Sequence, residues 1–477
     1  MTAQPAPSPS LGSSPGAGPS PSPGPSSGSP WVALRAGVRG STSARVDTLG
    51  ATGRRVVLVH SDPSTRRGAL TATDSATLAS GARLASAQRL PLVVRLDTSG
   101  ADIDGGVSSL HGWGEAARAL AACSGVVPVI LVVSGLAVSG PALMLGMADL
   151  VVMTPEAVAY VSGPASVAAL TGLRLDPEQL GGQGVHARTT GVAALLATNV
   201  EDALDLVADV LEFLPDHVDQ LPPSRPTRDD PDRPTPELRQ LLPTQPSGSY
   251  DVRVAVTAIG DDGIFVELRE RWAPQLVTGL IRVDGQPVGV VANQPQSMAG
   301  TLDIAASQKG ARFVSFCDTF NVPLLTLVDT PGFMPGKDLE WRGMIRHGAQ
   351  LVFAYAEATV PRVCLIMRKA FGGAYIVMDS KTMGNDLCLA WPSAQVAVMG
   401  AQGAVQILHR REDADTQAQL IEEYQERFLN PYVAAERGFV DQIVDPIESR
   451  AVVARAFAML AHKAERLPAR KHGNGPL

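Results

Sequence analysis

Two pairs of short glycine-bearing turns could do chemistry in this chain: DTSGAD (97–102) with AVSGPA (137–142), and DTPGF (329–333) with FGGA (371–374). Each turn follows an apolar, strand-like run, so its backbone N–H groups can point into a crevice at the strands' carboxyl ends. Small residues are what such a site needs, because a side chain would keep a substrate oxygen away from the amide. Two converging N–H donors stabilise an oxygen that gains negative charge, and losing one such donor typically costs about 2.7–4 kcal/mol in the transition state.

Other glycine-loop chemistry does not fit. A phosphate-binding loop needs lysine after its glycines, and Lys369 precedes Gly372 and Gly373. No G-x-G-x-x-G fingerprint falls at these turns, and Ser139 lacks the glycine spacing of a nucleophile elbow. There is no H-E-x-x-H and no cluster with metal-ligand spacing. His347 reads as a helix-surface residue. Asp97 and Asp329, each before Thr-x-Gly, read as turn or cap residues. The turns therefore offer amides and no side-chain base, which suits a reaction whose base arrives with a cofactor.

The elements that must position these turns alternate between strand and helix. LPLVVRLDTSG (90–100), VVPVILVVSG (126–135), VPLLTLVDTPG (322–332) and VPRVCLIMRKA (360–370) predict buried strands. GEAARALAAC (114–123) and GAQLVFAYAEA (348–358) predict helices. The pattern is that of βαβ units with a mainly parallel sheet. The halves also repeat each other: Asp97 to Pro128 spans 31 residues against 32 from Asp329 to Pro361, and Pro128 to Gly140 spans 12, as does Pro361 to Gly373. Further on, ADLVVMTPEAVAYVSG answers NDLCLAWPSAQVAVMG. Landmarks in the same order at the same spacing predict a tandem of two domains of one fold.

The 477 residues allow two domains of about 200 residues each. Residues 1–30 hold nine Pro, nine Ser, five Gly and no charge, and predict a disordered tail. The proline-rich stretch 222–249 predicts a surface linker between domains 31–221 and 250–477. A net charge of −7 gives no footprint for nucleic acid, and no run of apolar residues is long enough for a membrane span. The first residues show no basic segment followed by an apolar one, so a secretory signal is not expected. Cys123, Cys317, Cys364 and Cys388 lie in apolar sequence and read as reduced core thiols of a cytoplasmic protein.

On SGADI (99–103) and VSGLAVSGPALMLGMAD (133–149) the first half resembles the crotonase superfamily of coenzyme A enzymes. That resemblance implies that the amides of Ala101 and Gly140 hold a thioester oxygen, with Ser139 and Gly140 as the thioester turn. Leu143 stands where hydratases of the superfamily carry glutamate, so hydration is not expected. The second half resembles the β-chain carboxyltransferase of biotin-dependent acyl-CoA carboxylases of the propionyl-CoA and actinobacterial type. The likeness rests on GTLDIAASQKGARFVSFCDTFNVPLLTLVDTPGFMPG (300–336), RKAFGGAYIVM (368–378), LAWPSAQVAVMGAQGAV (389–405), NPYVAAERGFVD (430–441) and KHGNGPL (471–477).

The implied fold is α/β: tandem duplicated crotonase-like domains, with acyl-CoA on the first and biotin on the second. Gly372, Gly373, Ala374 and Phe333 would meet biotin. Ile376 would tune acyl-chain length, isoleucine pointing to a broader or longer acyl preference than aspartate. The family implies biotin borne by a partner chain with biotin carboxylase and carrier domains, a homo-hexamer built as a trimer of dimers, and no metal bound by this chain. Two alternatives share these residues: a biotin-dependent acyl-CoA decarboxylase or transcarboxylase subunit, and a catalytically weakened structural subunit.

Overall fold

The computed structural model describes residues 40–245 and 248–476. The tail expected over 1–30 lies outside them. In the first half, strands β1 (Thr42–Leu49), β2 (Arg54–Ser61), β3 (Leu92–Thr98), β4 (Val129–Val138), β5 (Leu150–Met153), β6 (Val158–Tyr160) and β7 (Leu195–Leu196) form one sheet. Its order is β1-β2-β3-β4-β5-β7, with β6 pairing the far end of β4. In the second half, β8 (Val266–Glu267), β9 (Leu276–Val283), β10 (Gln286–Asn293), β11 (Leu324–Thr330), β12 (Arg362–Phe371), β13 (Leu387–Ala390), β14 (Gln395–Ala397) and β15 (Gln442–Ile443) form another. Its order is β8-β9-β10-β11-β12-β13-β15, with β14 beside β12.

The two sheets share one plan. An antiparallel pair (β1 with β2, β9 with β10, the latter extended at the edge by short β8) is followed by parallel strands throughout. The register even slips at the same place, between Leu96 and Thr98 on β3 and between Val328 and Thr330 on β11. That slip pairs Thr98 with Ala137 and Thr330 with Ala370, which aligns Ser139 with Gly372 and Gly140 with Gly373.

Burial follows the two-residue alternation of a strand. On one face of the first sheet Val57, Val59, Val94, Leu131 and Val133 pack under helices α1 (Ala72–Gln88) and α2 (Val107–Ala121). On the opposite face Val56, Leu58, Val93, Ile130 and Val132 join Phe313, Phe316, Phe320, Leu324 and Ile366 of the second half in one continuous core. The second sheet's outer face packs on helix Ser449–Leu460 through Leu325, Val363, Leu365 and Phe457. The halves are thus joined by apolar packing as well as by chain.

Most of 222–245 is exposed, as a surface linker would be, yet the segment is pinned at several points. Thr235 and Leu238 are buried, and Thr235 Oγ1 donates to the carbonyl oxygens of Pro446 and Ile447 at 2.9 and 3.0 Å. Arg450, fully buried, donates to the carbonyl oxygens of Asp230 and Asp229 and to the Asp261 carboxylate at 2.8 Å. An arginine this deep must have its donors met, and the proline-rich segment supplies two of the acceptors. No helix of the described residues is long and apolar enough to cross a membrane. All four cysteines are buried and free, and Cys364 and Cys388 sit opposite each other on β12 and β13, a pairing their spacing in sequence does not announce.

Candidate functional site: two amide turns built on one plan

Asp97 and Asp329 stand where the register slips, and they bridge it. Asp97 Oδ1 accepts the Leu136 N–H at 2.9 Å, and Asp329 Oδ1 accepts the Lys369 N–H at 3.0 Å. Both are braces for the turn, as expected from their sequence context. The second half adds a clamp: Tyr250 Oη and Arg368 Nε donate to Asp329 Oδ2 at 2.8 and 2.9 Å, and Arg368 Nη1 reaches the Gly248 carbonyl at 2.8 Å. Burial pushes the Asp329 carboxyl up, and Arg368 opposes that shift. In the first half the position of Arg368 is Gly135, so Asp97 has no such clamp.

Beside each brace lies a short turn of three residues with positive φ: Arg66, Arg67 and Gly68 (51°, 55°, 70°), and Met298, Ala299 and Gly300 (47°, 55°, 74°). At Gly68 and Gly300 a Cβ would run into the carbonyl oxygen of Asp97 or Asp329, so only glycine lets these segments close on the strand ends. The turn then bridges to the next one. Leu70 N–H donates to Gly100 O and Asp102 N–H to Leu70 O; Leu302 N–H donates to Gly332 O and Met334 N–H to Leu302 O. Between each bonded pair one residue, Ala101 or Phe333, is left with an N–H that takes no hydrogen bond among the described residues.

The second donor of each site comes from the end of the neighbouring strand. After β4 a 3-10 helix runs from Gly140 to Met147, and after β12 an α-helix runs from Gly372 to Val377. First-turn N–H groups have no acceptor within their own helix, which leaves the amides of Gly140, Gly373 and Ala374 free of that ladder. The two loops of each site touch: a Cβ on Gly100 would meet Ser139 Cβ at 3.2 Å, and one on Gly373 would meet the Phe333 ring at 3.7 Å. Each half thus brings together one loop amide and one helix-start amide, Ala101 with Gly140 and Phe333 with Gly373.

Ser139 needs a correction. Its N–H donates to the Tyr160 carbonyl at 2.9 Å, because the ladder between β4 and β6 runs one residue past the strand. Its amide is therefore not one of the free donors. It also holds φ 64°, ψ −150°, a region almost confined to glycine, and the matching Gly372 has φ 60°. Ala374 is fully buried, and its side chain belongs to the core. Ile376, three residues after Gly373, lies on the same helical face and is 38% exposed. Leu143, also exposed, carries no acid group into the first site. His347 lies on the helix Met344–Glu357, where Gln308 and Arg346 engage its ring at 3.1 Å each.

Sequence reasoning missed Trp113. It lies on α2, and a Cβ on Gly140 would fall 2.7 Å from its Cε2 and Cζ2 atoms. Nothing local in HGWGE signals this, since the contact is made 27 residues further along the chain (113 to 140). The chemistry available is amide donation to an oxygen that becomes negative, twice, on two copies of one scaffold. A thioester carbonyl and a ureido carbonyl are both neutral oxygens that gain charge in this way, and both suit these donors.

A duplicated crotonase-like scaffold with paired amide sites defines a carboxyltransferase, and comparison with known proteins agrees. The carboxyl transferase domain family matches residues 48–475, and the chain belongs to that family. Within it the chain is of the propionyl-CoA carboxylase β-chain type. It is 44% identical to the propionyl-CoA carboxylase beta chain of Roseobacter denitrificans, over 89% of this chain and 84% of that one. It is 40% identical to the methylmalonyl-CoA decarboxylase subunit alpha of Propionigenium modestum, over 89% and 84%. The crystal structure of the transcarboxylase 12S hexamer with methylmalonyl-coenzyme A and methylmalonic acid bound superposes with a TM-score of 0.89 and 39% identity, covering 92% of this chain and 85% of that one.

Proposed function

We propose that this chain moves a carboxyl group from biotin, borne by a partner chain, to the α-carbon of a short-to-medium acyl-CoA. The duplicated amide pairs carry the reading. The N–H groups of Ala101 and Gly140 donate to the thioester oxygen and stabilise the charge it takes when the α-carbon loses its proton. The N–H groups of Phe333, Gly373 and Ala374 would donate to the ureido oxygen of biotin. When bound, biotin supplies both the carboxyl group and, once that group has left, the base. No side-chain base is then required, which matches turns that present amides and braces only.

In this reading residues 31–221 form the acyl-CoA domain and 250–477 the biotin domain. The protein works in the cytoplasm with a chain bearing biotin carboxylase and carrier domains. Its core is a homo-hexamer in which the first half of one protomer faces the second half of another. Large apolar side chains left open on this protomer support such a contact: Ile103 and Leu170 on the first half, Trp341, Ile345 and Val398 on the second, each more than three-quarters exposed.

The test is ATP-dependent fixation of labelled bicarbonate by the full chain assembled with its partner, on acetyl-, propionyl- and butyryl-CoA. Turnover on at least one supports the reading. An intact assembly with a competent partner and no turnover on any overturns it and leaves a structural subunit. The likeness to a decarboxylase subunit favours one further arm: release of CO2 from methylmalonyl-CoA in the presence of free biotin, without ATP. Release there and no fixation in the first assay would assign the reverse direction.

A further inference from the structure

Gly112 lets α2 sit close on α1, since a Cβ there would lie 3.0 Å from Ser75 Cβ and 3.1 Å from Ala72 Cα. That packing brings the next residue, Trp113, over the turn at Gly140. The ring presents one particular edge: Cε2 and Cζ2 at 2.7 Å and Nε1 at 3.1 Å from where a Gly140 Cβ would stand. An indole N–H in a partly buried place normally finds an acceptor. Trp391 does, donating to Ser449 Oγ at 2.9 Å. Trp113 Nε1–H has no acceptor among the described residues and is not closed off from the surface, so it is open to a ligand. In the second half the aromatic beside the matching glycine is Phe333, whose ring has no donor.

We infer that Trp113 is a substrate-contacting residue of the acyl-CoA site, its ring walling the turn at Gly140 and its Nε1–H serving as a third donor beside the Ala101 and Gly140 amides. The inference rests on the reading of that turn as the acyl-CoA site. It makes the two sites unequal. The thioester oxygen meets amides plus an indole N–H, and the biotin oxygen meets amides alone.

The experiment replaces Trp113 by β-(3-benzothienyl)alanine, which keeps the ring shape and deletes the N–H, and in parallel by Phe. The full chain, in the oligomer it forms, is assayed for carboxyl transfer from methylmalonyl-CoA to free biotin. A hydrogen bond to an oxygen bearing charge predicts that kcat/KM for the acyl-CoA falls ~10-fold or more in both variants. The KM for biotin should stay within about two-fold, since the second site has no such donor. Indole fluorescence of the unaltered chain should change on titration with acyl-CoA, and that change should vanish in Trp113→Phe. A benzothienyl variant within about two-fold of the unaltered chain overturns the donor role, and a KM for biotin raised as much as that for acyl-CoA overturns the assignment to one site. If the unaltered chain binds no acyl-CoA in equilibrium dialysis, the functional reading itself fails, which no result with the variants can imitate.

Discussion

Gly140 and Gly373 occupy matching positions in the two repeats, yet alanine should have opposite effects at them. At Gly140 the new methyl group would sit 2.7 Å from two indole carbons of Trp113. Ordinary carbon–carbon contact lies near 3.5–4.0 Å, so the overlap is roughly 1 Å and the ring must move by about that much. Over-packing of this kind costs about 1–3 kcal/mol. At Gly373 the methyl group would meet only Phe333 Cε2, at an ordinary 3.7 Å, and the backbone φ is not positive. Alanine in place of glycine in a helix contributes up to about 1 kcal/mol. The two variants should therefore differ by roughly 1–4 kcal/mol. At about 2–4 °C per kcal/mol for a domain of this size, that is a gap of several degrees in melting temperature. Both variants should be melted at one protein concentration and pH by differential scanning calorimetry. A Gly140→Ala protein that melts at or above Gly373→Ala would refute the steric argument and the placement of Trp113 with it.

Ser139→Gly should stabilise the protein: relieving a φ of 64° is worth about 1–3 kcal/mol, against about 0.5–1 kcal/mol of extra chain entropy, and a lower melting temperature would count against the strain. Burial pushes the Asp149 carboxyl up to about 6 from 3.8, so folding takes up a proton there; the stability this contributes is complete below about pH 4 and lost as pH rises through 6. It amounts to about 3 kcal/mol, so Asp149→Asn should flatten the dependence of unfolding free energy on pH between 4 and 6, and an unchanged slope would show that Asp149 does not carry it. Arg450→Met should leave the Asp261 carboxylate without its counter-charge, while Asp229 keeps Arg233, at a cost of about 3–5 kcal/mol, with limited proteolysis cutting first within residues 222–245; cleavage elsewhere would place the weak point outside that segment. Ile376→Asp should raise the ratio of propionyl- to butyryl-CoA rates about 10-fold, and an unchanged ratio would remove Ile376 from substrate selection.

The repeat was legible because its landmarks are local. Strand ends, an aspartate before Thr-x-Gly and small residues after an apolar run all lie within a few positions of one another, so the paired turns and the parallel sheets could be read directly. The antiparallel edge strand β1, TSARVDTL, was not legible: most of its residues are only half-buried, and it lacks the apolar run that marks the central strands. The tie of the Ser139 amide to Tyr160 was not legible, because Tyr160 belongs to a three-residue strand with no pattern of its own. Trp113, the Tyr250–Asp329–Arg368 clamp and the burial of Thr235 escaped for one reason: each partner lies far along the chain, and composition alone made 222–249 read as solvent-facing.

The tie between that segment and the last helix also bears on how the protein is made. Asp229 meets Arg450, 221 positions further along the chain. At ~5–20 residues per second, the segment waits roughly 10–45 s on the ribosome for the residue that holds it. The first sheet can close its outer core long before then, but its inner face must stay uncovered until the second sheet is synthesised. Both halves therefore reach their final form only near the end of translation. A chain stopped before Arg450 would leave its proline-rich segment unmoored and the second sheet's outer face bare, open to chaperones and proteases.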